Sequence, residues 1–292
     1  MKDNRRYIFT GNRFFVLQKM IELNLNIVKI FVVRDSFCQK ELETRGIEFE
    51  ILSNNKNEFV NILFSLDYDI LVSNGCPFIL PISQLSNGSK KFINLHPSLL
   101  PDLKGKSPIN GALLFERRHG VTCHNMDDGI DTGAIIEQLE IPIGEEINLD
   151  LLYQLSFRAE AIAFENAYKK NFEPLDVLYT RKNEDNIYYS KKHEDRIIRY
   201  EESFFELKRK IKAFSSYGQY AFFFHKGKPY EVVDIALIKN PMADLVFNNK
   251  SNNKIVCVYG IQFVLVKFDN KLCQFILVNN DGFCEGDNFI DN

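Results

Sequence analysis

Short apolar runs alternate with amphipathic stretches along the first part of the chain. The runs are rich in Ile, Val and Phe, which favour β-strands, and they lie at residues 7–10, 27–33, 48–52 and 69–73. Between them, apolar residues recur at spacings of three and four, as in Phe14, Leu17, Met20 and Ile21. This spacing is typical of helices that cover a sheet. The alternation predicts an α/β fold with a doubly wound, mostly parallel sheet.

Three more strands and one long helix complete the predicted first domain. They lie, in this order, at residues 92–95, 121–126, 134–141 and 148–170. A polar, poorly periodic stretch at 182–186 then indicates a linker. We therefore expect a first domain over residues 1–172, a linker over about 173–196 and a smaller second domain over 197–292.

The chain beyond the linker has a different pattern. Residues 203–206 read Ser-Phe-Phe-Glu, which fits the capping box at a helix start. Two pairs of apolar runs follow, at 220–238 and 260–278, and each pair is interrupted by a polar turn that predicts a hairpin. We therefore expect a small β-rich domain with a weakly ordered tail after Asp281.

The balance of charges narrows the classes of partner. Lys and Arg number 36 against 39 Asp and Glu, and the net charge of -3 provides no global positive field for nucleic acid or an anionic membrane. Six scattered cysteines without a Cys-x-x-Cys pair indicate reduced thiols, with neither a disulfide framework nor a metal site. The sequence shows no apolar stretch long enough for a signal peptide or a membrane span, so we expect a cytoplasmic protein.

Candidate chemistry lies at the end of the strand predicted over 92–95. Asn94 and His96 are two residues apart, so strand alternation sends both side chains to one face. This is the carboxyl end of the strand, where open α/β sheets bind ligands. A later stretch, 126–133, supplies a carboxylate in Asp131 that folding can bring to the same place. An amide donor, an imidazole and a carboxylate are the groups needed for acyl transfer to an amine.

Each of these residues also has an ordinary alternative role. A lone histidine on a strand is more often a hydrogen-bonded structural residue, and Asp131 can simply form a turn. In a catalytic site, Asn94 would donate to the oxygen that gathers negative charge. His96 would either remove the amine proton or donate to that oxygen. Asp131 would raise the basicity of the imidazole or hold a water that shuttles the proton.

The stretch over residues 92–138 resembles the signature of the folate-dependent formyltransferases, which include the glycinamide ribonucleotide and methionyl-tRNA formyltransferases. Its most specific parts are Asn-Leu-His-Pro at 94–97 and Met-Asp-Asp-Gly-Ile-Asp-Thr-Gly at 126–133. The resemblance implies an enzyme that uses 10-formyltetrahydrofolate, with Asn94, His96 and Asp131 as catalytic residues. It also implies a pterin pocket whose cofactor-binding residues are Cys76, Phe78, Ile79, Leu80, Met126, Asp127 and Asp128.

The sequence constrains the acceptor of the formyl group less tightly than it constrains the donor. Glycinamide ribonucleotide enzymes usually lack a second domain, and formyltetrahydrofolate hydrolases generally carry a regulatory domain in front. Methionyl-tRNA formyltransferases have a second β domain, but this chain has few basic residues from Asp234 onward with which to grip tRNA.

The remaining subgroup, the sugar N-formyltransferases, fits this organisation better. We therefore expect a nucleotide-linked amino sugar as acceptor, and a dTDP-linked 3-amino- or 4-amino-dideoxyhexose for surface polysaccharide ahead of a GDP-linked one. A catalytically idle, nucleotide-sugar-binding descendant is the alternative from another functional class.

Further residues are candidates for binding and support. Asn12, Arg13, Lys104 and Lys106 are candidates for binding the acceptor and its diphosphate. His124 and Ser98 are expected to support the site, and His119, His193 and His225 are expected at the surface. The Leu100–Pro101 bond is a candidate cis peptide, with an ordinary trans turn as the alternative.

A homodimer is also expected, formed through the C-terminal part of the chain. The apolar segments 222–224 and 276–278 offer suitable surface there, although both can equally belong to the core.

Overall fold

The computed structural model describes residues 3–175, 186–247 and 251–291. The chain divides into two compact units. The first comprises Met1–Pro108, Arg118–Ile143 and Tyr153–Tyr189, and the second comprises Ile109–Arg117, Gly144–Leu152 and Ser190–Asn292. The linker expected over about 173–196 lies partly outside the described residues.

The first unit is built on a seven-stranded sheet. Its strands are β1 (Arg6–Gly11), β2 (Asn26–Val32), β3 (Glu50–Ile51), β4 (Ile70–Asn74), β5 (Lys91–His96), β6 (Gly120–Asn125) and β7 (Ile135–Glu140). Their order is β3-β2-β1-β4-β5-β6-β7, in which β1 to β5 are parallel and β6 and β7 are added antiparallel. The predicted mostly parallel, doubly wound sheet is therefore confirmed. The direction of winding reverses between β1 and β4, and such a reversal leaves a crevice at the carboxyl ends of the strands.

Helices follow most of these strands and cover both faces of the sheet. They are α1 (Phe14–Glu22), α2 (Phe37–Arg45), α3 (Lys56–Ser65), α4 (Ile82–Leu85) and α6 (Leu149–Lys169), whereas α5 (Pro108–Leu114) belongs almost entirely to the second unit. Alternation along β1 sends Tyr7 and Phe9 into one core cluster and Ile8 into another, so each face has its own core. Over residues 3–175, 186–247 and 251–291, no helix is both long and apolar enough to cross a membrane.

The second unit contains a five-stranded antiparallel sheet. Its strands are β8 (Ala221–His225), β9 (Lys228–Leu237), β10 (Lys254–Tyr259), β11 (Phe263–Phe268) and β12 (Lys271–Leu277), in the order β10-β11-β12-β9-β8. Helix α7 (Phe204–Ala213) begins with the predicted capping box of Ser203 and Glu206. The predicted β-rich character is confirmed, but the pattern did not predict β10 or the short helix α8 (Pro241–Phe247).

The segment after Asp281 is packed, so the expectation of a weakly ordered tail is wrong. Phe289 and Ile290 are buried, and the Phe289 ring lies 4.3 Å from that of Phe223. The Asn253 side chain forms two hydrogen bonds with the backbone of Ile290, at 2.9 and 3.0 Å. These contacts join residues far apart in sequence, and local periodicity carries no information about them.

The two segments expected at a dimer surface belong only partly to the surface. Phe223 and Leu277 have no exposed area, whereas Phe224 and Val278 are 40% and 42% exposed. Strand alternation explains the difference, because neighbouring residues point to opposite faces. The homodimer therefore stays a prediction.

Candidate active site

Strand pairing brings the candidate residues to one edge of the sheet. Asn94 and His96 lie within the last three residues of β5, where Asn94 pairs with His124 of the antiparallel β6. Asp131 lies in the loop between β6 and β7, with a positive φ of 52° that aspartate tolerates better than most residues. The loop returns the carboxylate to the carboxyl end of β5, so two segments distant in sequence share one site.

The distances describe a connected polar cluster. His96 Nδ1 lies 3.5 Å from Asp131 Oδ1, and His124 Nε2 lies 3.7 Å from the same oxygen. The amide nitrogen of Asn94 lies 3.0 Å from His124 Nε2. The second carboxylate oxygen of Asp131 accepts a hydrogen bond from the backbone N–H of Gly105 at 3.1 Å. The structure thus brings Asn94, His96 and Asp131 together, with His124 between them.

Backbone carbonyls fix which ring nitrogens carry hydrogen. His124 Nδ1 lies 2.7 Å from the carbonyl oxygen of Asn125, which can only accept, so Nδ1 donates and the neutral ring leaves Nε2 as an acceptor. That acceptor takes one N–H of the Asn94 amide and orients it. The amide keeps a second N–H for another partner.

The same reasoning applies to His96. Its Nε2 lies 3.0 Å from the carbonyl oxygen of Leu103 and donates to it. Nδ1 of the neutral ring therefore turns its lone pair to Asp131, whose oxygens also accept. One proton between the two groups satisfies both, so this pair is arranged to hold a single transferable proton.

Burial controls the charge of both histidines. The pKa of His96 is lowered by burial, against the opposing effects of Asp131 and the Leu103 carbonyl. Burial lowers the pKa of His124 to about 4, although Asp131 favours its charged form. Both rings are therefore neutral at pH 7, and each has one ring nitrogen without a hydrogen.

A cavity of about 380 Å³ opens directly over this cluster. It is lined by the polar cluster and by apolar side chains, of which Ile79 and Ile130 remain 48% and 38% exposed. Most predicted site residues line it: Asn12, Arg13, Cys76, Phe78, Ile79, Leu80, Asn94, His96, Lys106, His124, Met126, Asp127 and Asp131.

Three predicted residues lie outside the cavity lining. Lys104 pairs through its backbone with Ile187 and Tyr189, and Asp128 accepts a hydrogen bond from the backbone of Ser83. Ser98 is buried and donates to the carbonyl oxygen of Asp102 at 2.8 Å. It supports the loop after His96, in which the Leu100–Pro101 bond is cis.

Two histidines expected at the surface are buried instead. His119 lies 2.7 Å from the hydroxyl of Ser156, and His225 stacks on Phe283 with ring centroids 4.3 Å apart. Both occupy or adjoin strands, and their faces could not be deduced without the tertiary structure. His193 is exposed, as expected.

The sequence prediction missed Glu160 and Tyr188. Glu160 of α6 is completely buried, and burial raises its pKa to about 7, against the effects of Arg13 and Asn74. One signal was available, because Glu160 falls at helical spacing with the buried Ser156 and Phe164. Tyr188 lines the cavity beside Gly105, where a β-bridge to Lys104 holds it.

Comparison with known proteins finds similarity to formyltransferases. Residues 30–167 match the family model for formyl transferase. The chain is 25% identical over 272 residues to a methionyl-tRNA formyltransferase of Buchnera aphidicola, covering 86% of this chain and 83% of the relative. It is 30% identical over 138 residues to a GDP-perosamine N-formyltransferase of Brucella melitensis, covering 45% and 53% respectively.

The fold is also shared with a solved structure. A sugar 3N-formyl transferase, crystallised in the presence of dTDP and 5-N-formyl-THF, superposes with a TM-score of 0.67 at 18% identity. The superposition covers 95% of this chain and 99% of that one. Asn94, His96 and Asp131 all fall inside the matched residues 30–167. Residues 30–167, which carry these three candidate residues, therefore match the formyl transferase family model, and the chain shares its fold with a solved sugar 3N-formyl transferase.

Proposed function

We propose that this protein is an N-formyltransferase that moves a formyl group from 10-formyltetrahydrofolate to the amine of a nucleotide-linked amino sugar. The preferred acceptor is a dTDP-linked 3-amino- or 4-amino-dideoxyhexose for surface polysaccharide, ahead of a GDP-linked sugar. One observation carries the proposal: Asn94, His96 and Asp131 face a single cavity of about 380 Å³.

The apolar side of the cavity fits the formyl donor. Phe78, Ile79 and Leu80 lie on one segment, and Met126 and Ile130 lie on the loop that carries Asp131. Apolar side chains facing a cavity can pack against the faces of a flat ring, such as that of a pterin. When bound, 10-formyltetrahydrofolate supplies a formyl carbon on a nitrogen that can leave once it is protonated.

Asn94 is assigned to stabilise the negative charge that develops on the formyl oxygen. Because His124 accepts one N–H of its amide, the other N–H can donate to that oxygen without reorientation. Preorganised donors of this type contribute roughly 10²–10³ in rate. His124 acts through Asn94 and is a positioning residue.

His96 and Asp131 are assigned to proton transfer. As the amine nitrogen bonds to the formyl carbon, this pair accepts the proton that the amine loses. As the bond from that carbon to the folate nitrogen breaks, the pair returns the proton to the departing nitrogen. One C–N bond forms, one breaks and the proton is conserved, so no further reactant is needed.

A second candidate acceptor is the methionyl group of initiator tRNA. The alignment over 272 residues with a methionyl-tRNA formyltransferase favours it, because that alignment extends into both units. Charge argues against it. From Asp234 onward the sequence has five lysines, no arginine and seven acidic residues, whereas tRNA binding depends on neutralising phosphates.

The test is a turnover assay with competing acceptors. The purified chain is incubated with 10-formyltetrahydrofolate and, separately, dTDP-linked 3-amino and 4-amino sugars, a GDP-linked amino sugar and charged initiator tRNA. Mass spectrometry of the products detects the added formyl group, with a folded His96→Asn variant as control. Formylation of a nucleotide sugar supports the proposal, and formylation of the tRNA alone replaces it with the second candidate. Binding of the sugars without turnover would indicate a non-catalytic homologue.

A further inference from the structure

A buried carboxylate, that of Glu160, pairs with Arg13, a residue of the cavity lining. Glu160 has no exposed area, and its two oxygens accept hydrogen bonds from the side chains of Asn74, at 2.9 Å, and Arg13. A buried acid is costly unless it is paired in this way. The two partners come from the ends of β4 and β1, so Glu160 ties together the strands on either side of the crevice.

Arg13 connects this acid to the cavity. Its side chain is 19% exposed and lines the cavity, while its guanidinium lies 4.6 Å above the ring of Phe157. The guanidinium carries five N–H donors in a rigid fork. Within the ranges that the structure describes, Glu160 is its recorded hydrogen-bond acceptor, through Nη1. The remaining donors can therefore serve a ligand.

The backbone around Arg13 also favours an anion. Arg13 is the N-cap residue of the nine-residue helix α1, and its own side chain does not cap the first turn. The N–H groups of an uncapped first turn attract negative charge. Gly11 lets the chain pass close to the end of β4 just before this helix, because a Cβ there would lie 2.0 Å from the carbonyl oxygen of Asn74.

We infer that Glu160 is a positioning residue that holds Arg13 in the orientation in which its remaining N–H groups receive the diphosphate of the nucleotide sugar. The inference rests on the proposed function. The proposed role of Glu160 is to position Arg13, because the negative charge of Glu160 by itself opposes the binding of an anion. Substitutions that change only the position or only the charge of this side chain can therefore test the two effects separately.

Two conservative variants make that separation. Glu160→Gln removes the charge but keeps an oxygen for Arg13. Asn74 can turn its buried Oδ1, which has no hydrogen-bond partner among the residues that the structure describes, to accept from the new amide. Glu160→Asp keeps the charge but withdraws the carboxylate by one methylene. The matched control is Glu165→Gln, which removes an acid from the same helix where it pairs with Lys19 and Lys169 at the surface.

The affinity of the full-length chain for dTDP is measured by calorimetry, with the melting temperature of each variant recorded. We expect Glu160→Asp to raise the Kd about tenfold, the loss of one charge-assisted hydrogen bond, and Glu160→Gln to raise it less. In an Arg13→Met background the effect of Glu160→Asp should disappear. The KM for the nucleotide sugar should rise with the Kd while kcat changes little.

Three outcomes would overturn the inference alone: an unchanged Kd in Glu160→Asp, a larger loss in Glu160→Gln than in Glu160→Asp, or an equal loss with and without Arg13. A failure of the unsubstituted chain to bind dTDP would instead overturn both the inference and the dTDP-sugar acceptor. The Glu165→Gln control should bind dTDP with the unsubstituted affinity.

Discussion

Each unit contains a buried polar cluster, and the two clusters differ in where their atoms point. In the first unit, Asn94, His96 and Asp131 line a cavity, and the Asn94 amide keeps an N–H beyond the one that His124 takes. In the second unit, Asn253 forms both of its side-chain hydrogen bonds with Ile290. The first cluster is open to a ligand and the second is closed.

The histidines show the same contrast. His96 sets one nitrogen on a backbone carbonyl and turns the other to Asp131 at the cavity. His225 is equally buried, but its ring is stacked on Phe283 and its Nδ1 faces the carbonyl of Phe289. Burial of a polar side chain therefore does not identify an active site. What distinguishes the first cluster is a set of polar atoms that face the same empty volume.

The largest expected effect comes from substituting the two histidines, His96 in the open cluster and His225 in the second unit. His96→Asn should lower kcat by about 10²–10⁴-fold, because it removes the ring that shares a proton with Asp131. The matched variant His225→Asn should lower the melting temperature and leave the kcat of the folded protein unchanged. Stopped-time assays on protein checked by circular dichroism measure both. Near-normal turnover in folded His96→Asn would remove His96 from the mechanism.

A smaller effect is expected at the carboxylate. Asp131→Asn keeps an oxygen for the Gly105 N–H but cannot carry the proton, so kcat should fall about 10²-fold, more than KM rises. Asp291→Asn is the matched substitution in the second unit, where the exposed carboxylate accepts from the backbone of Lys226 and Gly227 and is not part of the cavity lining. It should leave kcat unchanged. A change in KM alone for Asp131→Asn would reassign that residue to acceptor binding.

The open cluster was the part that sequence could predict. Asn94 and His96 share a strand, so their common face follows from alternation, and the resemblance over 92–138 added Asp131. The strands of both sheets were also largely predictable, because apolar runs of Ile, Val and Phe report local structure.

The closed cluster could not be predicted in this way. Asn253 and the tail after Asp281 meet only after the sheet has formed, and each looks like a polar loop in isolation. Glu160 is intermediate, since its helical spacing placed an acid among buried positions, but its partners Arg13, before α1, and Asn74, at the end of β4, are distant in sequence. The local pattern predicts which polar residues lie at buried positions, whereas long-range packing decides which of them contact one another.

The closed cluster has its own test. Asn253→Ala should lower the free energy of unfolding by about 2 kcal/mol, because two buried backbone groups of Ile290 lose their partners. Asn253 also has a φ of 60°, which asparagine tolerates better than alanine. Chemical denaturation measures the change, with Asn270→Ala, at φ 54° on a β-turn, as a control for the backbone effect. Equal losses in both variants would show that backbone conformation, and not the hydrogen bonds, accounts for the destabilisation.

The smallest effect is a shift in the pKa values of two histidines, which is measured by titration. The pKa of His96 decides whether it acts as a base for the amine proton or as a charged donor to the formyl oxygen. Burial penalises the imidazolium form, so the pKa of His96 should lie below its ordinary 6.5, and that of His124 near 4. NMR of the ring Cε1–H signals over a pH series measures both, with each signal assigned by its loss in a single variant. Because the folded protein then binds fewer protons than the unfolded chain, these two residues contribute stability above pH 6.5 that is lost as the pH falls through their folded pKa values.

A His96 midpoint below 6.5 means a neutral ring that can accept the amine proton. A midpoint above 6.5 would mean that Asp131 outweighs burial, and His96 would then act as a charged donor to the formyl oxygen instead of a base.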